Sequence, residues 1–203
     1  MRISDDRYSR DRLRLDIALH FIRLEARTHT IRQWTGLTDD RIRKLYRTYL
    51  HGGGRCLTRH RGKSPQQAAF FLRTARLRQE AAALASICCL LGLLDGRRGK
   101  PAERHAGGVS RAASLCRAYE VYRAIVPMPA ISFEHHVLLV NALARGDELR
   151  FGDCHGCGAL LVVDSLALRP SRCTQCAEDS APHAPACHIE RSVRAGLTVH
   201  VEG

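Results

Sequence analysis

The sequence predicts a mainly α protein: a helical domain with an N-terminal helix-turn-helix-like segment, then a small C-terminal four-cysteine zinc-binding lobe with short β pieces. Three observations carry that prediction. Apolar residues make up 45% of the 203 residues but aromatic residues only 5%, so the core draws on Leu, Ala, Ile and Val, a composition that favours helices over a sheet. Apolar positions recur at helical spacing as far as about residue 144. Two Cys-x-x-Cys pairs, fifteen residues apart, then follow near the C-terminal end.

The elements follow in order. Residues 11–27 place Leu13, Ile17, Phe21 and Leu24 on one helical stripe, which Leu15, Ala18 and Ile22 widen, so this helix is expected to pack on two sides. Residues 28–50 read as two short helices about a turn. HGGGRCLTRHRGKS (51–64) is a glycine-rich basic loop. A long helix is expected from Pro65, which suits a first helical position, to Leu94, with Gly96 marking its end. GRRGKPAERHAGG (96–108) reads as a linker. Helices over 110–126 and 132–144 follow, separated by Pro127-Met128-Pro129; the second ends at Arg145-Gly146. LRFGD and ALLVVD are β-prone. The chain therefore divides into a helical part (1–147), a cysteine lobe (148–180) and a Pro/Ala-rich, flexible tail (181–203).

Charge is unevenly spread. Residues 1–63 carry 16 Lys/Arg against 7 Asp/Glu, a net of +9, whereas residues 64–203 carry 16 against 13, a net of +3. A field concentrated at one end points to a polyanionic partner there, nucleic acid first. A solvated basic surface is the plain alternative. No apolar run is long enough to span a membrane, and MRISDDRYSR lacks the apolar segment of an export signal. A cytoplasmic setting is therefore expected, in which the nine cysteines are thiols available to metal rather than disulfides.

Cys154, Cys157, Cys173 and Cys176 have the spacing of a structural zinc site, with Gly156 and Gly158 permitting a tight turn. One Zn2+ per chain is the expected cofactor. Four thiolates close the tetrahedron, which leaves no position for water and suits structure rather than catalysis. Disulfides or an iron–sulfur cluster are the alternatives. Cys88, Cys89 and Cys116 read as small buried hydrophobes, Cys56 as a loop thiol, and Cys187-His188 as an unused half-site. Glu134, His135 and His136 do not match a metalloprotease pattern and read as a solvated or partner-facing helix surface. No nucleophile elbow, phosphate loop or other catalytic set is present, so neither an enzyme nor a small-molecule substrate is expected.

In THTIRQWTGLTDDRIRKLYRTYL (28–50), Gly36 sits where a sharp turn needs positive φ, Leu37 plugs the angle between helices, and Thr38 can cap the second helix. Asp39 and Asp40 suit its first turn. Ile42, Leu45 and Tyr49 form the expected inner stripe. Arg41, Arg43, Lys44 and Arg47 lie outside it, where a helix in a major groove would place them on phosphates and bases. Arg32 stands where close helix contact would favour a small residue. An ordinary helical hairpin with a charged face is the alternative.

Taken in order, LDIALHFIRLEARTHTIRQWTGLTDDRIRKLYR, LCRAYEVYR (115–123), VLLVNALARGDELRFGDCHGCGALLV and the closing SRCTQC resemble the FlhC family of flagellar transcriptional activators over residues 11–176. The resemblance implies a cytoplasmic bacterial protein that joins a small helical partner subunit (FlhD), binds promoter DNA and recruits RNA polymerase to flagellar genes. It also implies zinc on Cys154, Cys157, Cys173 and Cys176. Arg169 and Arg172 in the lobe are candidates for a further DNA contact. The acidic stretch after Cys176 and the 96–108 segment depart from the family pattern, and a paralogue controlling non-flagellar genes is the alternative. A zinc-ribbon scaffold that binds only protein is the competing reading from another class.

Overall fold

The computed structural model describes residues 2–52, 60, 62–96, 108–169 and 171–178. Among them are seven α-helices, one 3-10 turn and a two-stranded antiparallel sheet, the mainly helical architecture expected. The expectations for Cys56, Cys187, residues 97–107 and the tail from 179 fall outside the described residues.

Helix α1 (Arg2–Arg23) starts nine residues before the predicted helix. It stops where Glu25 takes a left-handed φ of 61°. The Ala26 N–H then donates to the Phe21 carbonyl at 2.9 Å and the Glu25 N–H to that of Ile22 at 3.0 Å, a Schellman closure without the usual glycine. Ile17, Ala18, Phe21, Ile22 and Leu24 are buried as the stripe predicted. Leu13 is not: it is 52% exposed, because the N-terminal part of α1 runs past the elements that cover the rest.

The helix-turn-helix geometry forms as expected. Helix α2 (Thr28–Thr35) is closed by Gly36 at φ 69°, whose N–H donates to the Arg32 carbonyl at 2.9 Å. Leu37 is buried in the angle, and the Thr38 hydroxyl accepts from the Arg41 N–H at 3.4 Å to begin α3 (Asp39–Gly52). The inner stripe differs by one place. Ile42 and Tyr46 are buried and Leu45 half-buried, while the Tyr49 side chain lies outside the described residues. Tyr46 is drawn inward because its hydroxyl donates to the Ala26 carbonyl of the α1–α2 turn.

The long helix predicted over 65–94 is shorter. Residues 62–67 are not helical, Ala68–Leu72 form a 3-10 turn, and Thr74 rather than Pro65 caps α4 (Ala75–Leu90), accepting from the Leu77 N–H at 3.1 Å. At the far end Gly92, φ 68°, stops the helix before Gly96: the Leu93 N–H reaches the Cys88 carbonyl at 2.8 Å. Leu93 and Leu94 then turn into the core.

Helices α5 (Gly108–Ile125) and α6 (Phe133–Arg145) match their predicted spans within two residues. The Ser132 hydroxyl caps α6, and Gly146 at φ 73° ends it. Helix α4 packs on α5 and α6; α1 packs on α2, α3 and α5. Strands β1 (Leu149–Asp153) and β2 (Leu160–Asp164) pair with Leu149 opposite Asp164 and Asp153 opposite Leu160. The sheet is anchored to the helices, β1 on α6 and β2 on α4, and Leu149 and Val162 belong to the same buried cluster as the helical core.

Two buried carboxylates hold these parts in register. Glu80 of α4 accepts from the Tyr122 hydroxyl of α5, from the Ala130 N–H at 2.8 Å and from Arg76 at 2.7 Å, which fastens the proline-rich 127–130 segment. Glu134 of α6 accepts from the Arg27 N–H at 2.8 Å and the Thr30 hydroxyl at 2.9 Å, so a side chain 107 residues away caps the start of α2. This corrects the surface reading of residues 134–136. Glu134 is 6% exposed and His136 fully buried, its Nε2 3.3 Å from Cys88 Sγ and its ring stacked on Tyr119. Only His135 is half-buried, stacked on Phe70 at 4.1 Å.

Candidate metal centre

Cys154, Cys157, Cys173 and Cys176 come together as their spacing predicts: their sulfurs all lie within 4.8 Å of one another. The first pair forms the tip of the β1–β2 hairpin. The Cys154 N–H donates to the Ala159 carbonyl and the Gly158 N–H to the Cys154 carbonyl, both at 2.8 Å, with Gly158 at φ 70°. The second pair follows β2, Cys173 immediately before α7 (Thr174–Glu178) and Cys176 within it, and the His155 N–H ties the two halves by donating to the Ser171 carbonyl at 3.0 Å.

Close approach decides one position. A Cβ on Gly156 would lie 3.0 Å from Cys176 Sγ and 3.2 Å from Cys176 Cβ, so the absence of a side chain at residue 156 lets the two knuckles approach without displacing Cys176.

Backbone amides are aimed at the sulfurs. The Cys173 N–H lies 3.2 Å from Cys154 Sγ, and the Cys176 N–H 3.4 Å from Cys173 Sγ. Hydrogen bonds of this kind favour a thiolate. The Cys173 amide, followed by that of Cys157, holds the Cys154 thiol down at about 6. Cys176 is pushed up to about 12 by hydrogen bonding with Cys173 and then Cys157, because negative charge beside neighbouring sulfurs is costly. Four thiolates this close need a cation between them. Four sulfurs at about 2.3 Å from one ion would stand about 3.8 Å apart; Cys157 Sγ and Cys173 Sγ are 3.7 Å apart. The donor set and its spacing thus suit a tetrahedral thiophilic ion. Cys154 is buried and Cys157 exposed at the rim.

The remaining cysteines behave as predicted in part. Cys88 and Cys116 are buried, and burial raises both thiols, Cys116 to about 12. Cys89 is only half-buried, and burial followed by the nearby Asp95 charge raises it to about 11.

Arg41, Arg43, Lys44 and Arg47 all stand exposed on α3. Arg43 is held by Asp40 at 2.9 Å; among the described residues the other three have no ion-pair partner. Arg32 points outward to Asp39, 3.7 Å away, so it does not disturb the packing of α2 on α3. Arg169 and Arg172 are exposed beside the second cysteine pair. The residues that sequence reasoning missed are Glu80, Glu134 and His136. Glu134 and His136 stood within an apolar helical pattern, which was their one visible signal.

No helix among the described residues is long and apolar enough to cross a membrane. The chain matches no protein-family model and no curated protein.

Proposed function

We propose that this protein is a cytoplasmic, non-enzymatic, DNA-binding transcriptional activator, stabilised by one structural Zn2+ on Cys154, Cys157, Cys173 and Cys176. It works at promoters of flagellar genes as a hetero-oligomer with a small helical FlhD-like protein, and it engages RNA polymerase. The observation that carries the DNA reading is the exposed cationic face of α3, which follows a glycine turn in helix-turn-helix geometry. Arg41, Lys44 and Arg47 reach phosphates or base edges from a helix lying in the major groove. The thiolate set supports zinc because four sulfurs fill its tetrahedral shell and the gap between pairs fits. That closed shell also supports a structural over a catalytic role. The partner, polymerase and flagellar assignments rest on the sequence resemblance.

Fluorescence anisotropy of a labelled promoter duplex, with and without the FlhD-like partner and at several salt concentrations, tests this reading. Affinity should fall steeply as salt rises, since each phosphate contact releases counterions. Salt-independent or undetectable binding in both arms sinks it. A protein-only zinc scaffold is the second reading, favoured by Asp39 and Asp40. These two acids sit at the start of α3, where a groove-bound helix meets the bases, and each engages an arginine.

A further inference from the structure

The geometry points to a binding site for a small phosphate-bearing ligand in the cavity between the α1–α2 turn, the C-terminal end of α5 and the start of α6, whose lining includes no residue of α3 or of the cysteine lobe. The cavity holds about 620 Å3, within the roughly 300–1,000 Å3 usual for small-molecule sites. Three arginines line it, Arg23, Arg27 and Arg123, together with His60 and His135. Separate stretches of chain thus bring cations to one concavity, where low-dielectric walls concentrate their field.

The two carboxylates in the wall, Glu25 and Glu134, offset this field only in part, because three arginines share the lining with them. Glu134 is 6% exposed, and its oxygens are turned to the Arg27 N–H and the Thr30 hydroxyl at the start of α2. Glu25 is engaged by His60 at 3.2 Å. The Arg27 side chain is 20% exposed, with its Nε 4.0 Å from Glu134, so its guanidinium is steadied at the wall by a buried partner. The first turn of α6, Phe133 to His135, also lines the cavity. Its amide dipoles add positive potential where an anion would sit. Guanidinium groups are suited to such a ligand because their fork of donors matches phosphate oxygens. Pro65 and Pro129 contribute accessible apolar surface beside the cations, fitting a phosphate that carries an organic body.

Calorimetric titration of the full-length protein with inorganic phosphate, AMP and adenosine tests the site. Arg27 is a poor variant because it stands beside buried Glu134, so Arg23→Ala and Arg123→Ala are combined instead. Inorganic phosphate and AMP should bind saturably and adenosine should not. The double variant should bind AMP at least about tenfold more weakly, whereas Arg47→Ala should leave it unchanged. A short DNA duplex added in competition separates the two sources of phosphate: displacement of AMP assigns the cavity to the nucleic-acid backbone and overturns the small-ligand assignment, and persistence of AMP supports a free phosphate. The proposal is also overturned if neither phosphate compound binds below about 10 mM, if adenosine binds as well as AMP, or if the double variant binds AMP normally. The phosphate, AMP and adenosine titrations do not depend on whether α3 contacts DNA.

Discussion

The Cys173 backbone N–H points at Cys154 Sγ from 3.2 Å, so the second cysteine pair stabilises charge on the first before any ion is shared between them. Knuckle geometry and metal affinity are therefore coupled through the backbone.

Gly156→Ala exposes that coupling. Its methyl would press on Cys176 Sγ at 3.0 Å, so the four thiols would remain but Cys176 would have to shift for the site to close. Metal affinity should fall by about ten- to a hundredfold, the scale of other changes that disturb ligand orientation. Competition with a chromophoric chelator measures it; unchanged affinity would show that the knuckles can yield.

Cys173→Ala removes a ligand and should release the ion outright. Because Leu149 and Val162 are buried in the helical core, the hairpin base should stay docked while the tip and residues 171–178 loosen. Hydrogen exchange reads this directly. Protection lost from β1 and β2 as well would mean that the metal orders the whole lobe.

Glu134→Ala leaves the Arg27 N–H and the Thr30 hydroxyl without their acceptor inside the protein. Two such losses should cost about 2–4 kcal/mol in urea unfolding. Glu134→Gln keeps an acceptor oxygen and should recover part of it.

His136 makes stability depend on pH. Burial holds its folded-state value at about 3, against 6.5 when unfolded. Between those values the unfolded chain binds a proton that the folded chain excludes, so stability falls as pH drops from 6.5 towards 3, by up to about 1.4 kcal/mol per pH unit. His136→Leu should flatten that dependence. Equal slopes for both proteins in urea unfolding would refute it.

On α3, Arg47→Ala should weaken duplex binding and reduce the salt slope by about 1. Arg43→Ala should cost less, because Asp40 already occupies that guanidinium. Asp40→Asn should then strengthen binding. Anisotropy titrations of the three variants check the order.

Features written into the chain alone are local ones. The spacing of Cys154, Cys157, Cys173 and Cys176 constrains where four sulfurs can meet, because a two-residue gap permits one tight turn and little else. Gly36, Thr38 and Gly146 marked helix ends because capping depends on atoms within a few residues. Packing fixed the rest. Helix α1 ends at a left-handed Glu25 that no local rule favours, since glycine is the usual residue there. Glu80, Glu134 and His136 look like surface residues in sequence, yet they are buried because partners 42 to 107 residues away satisfy or enclose them. Burial of a polar group depends on which partner arrives to pair with it, and that is settled only when the helices pack.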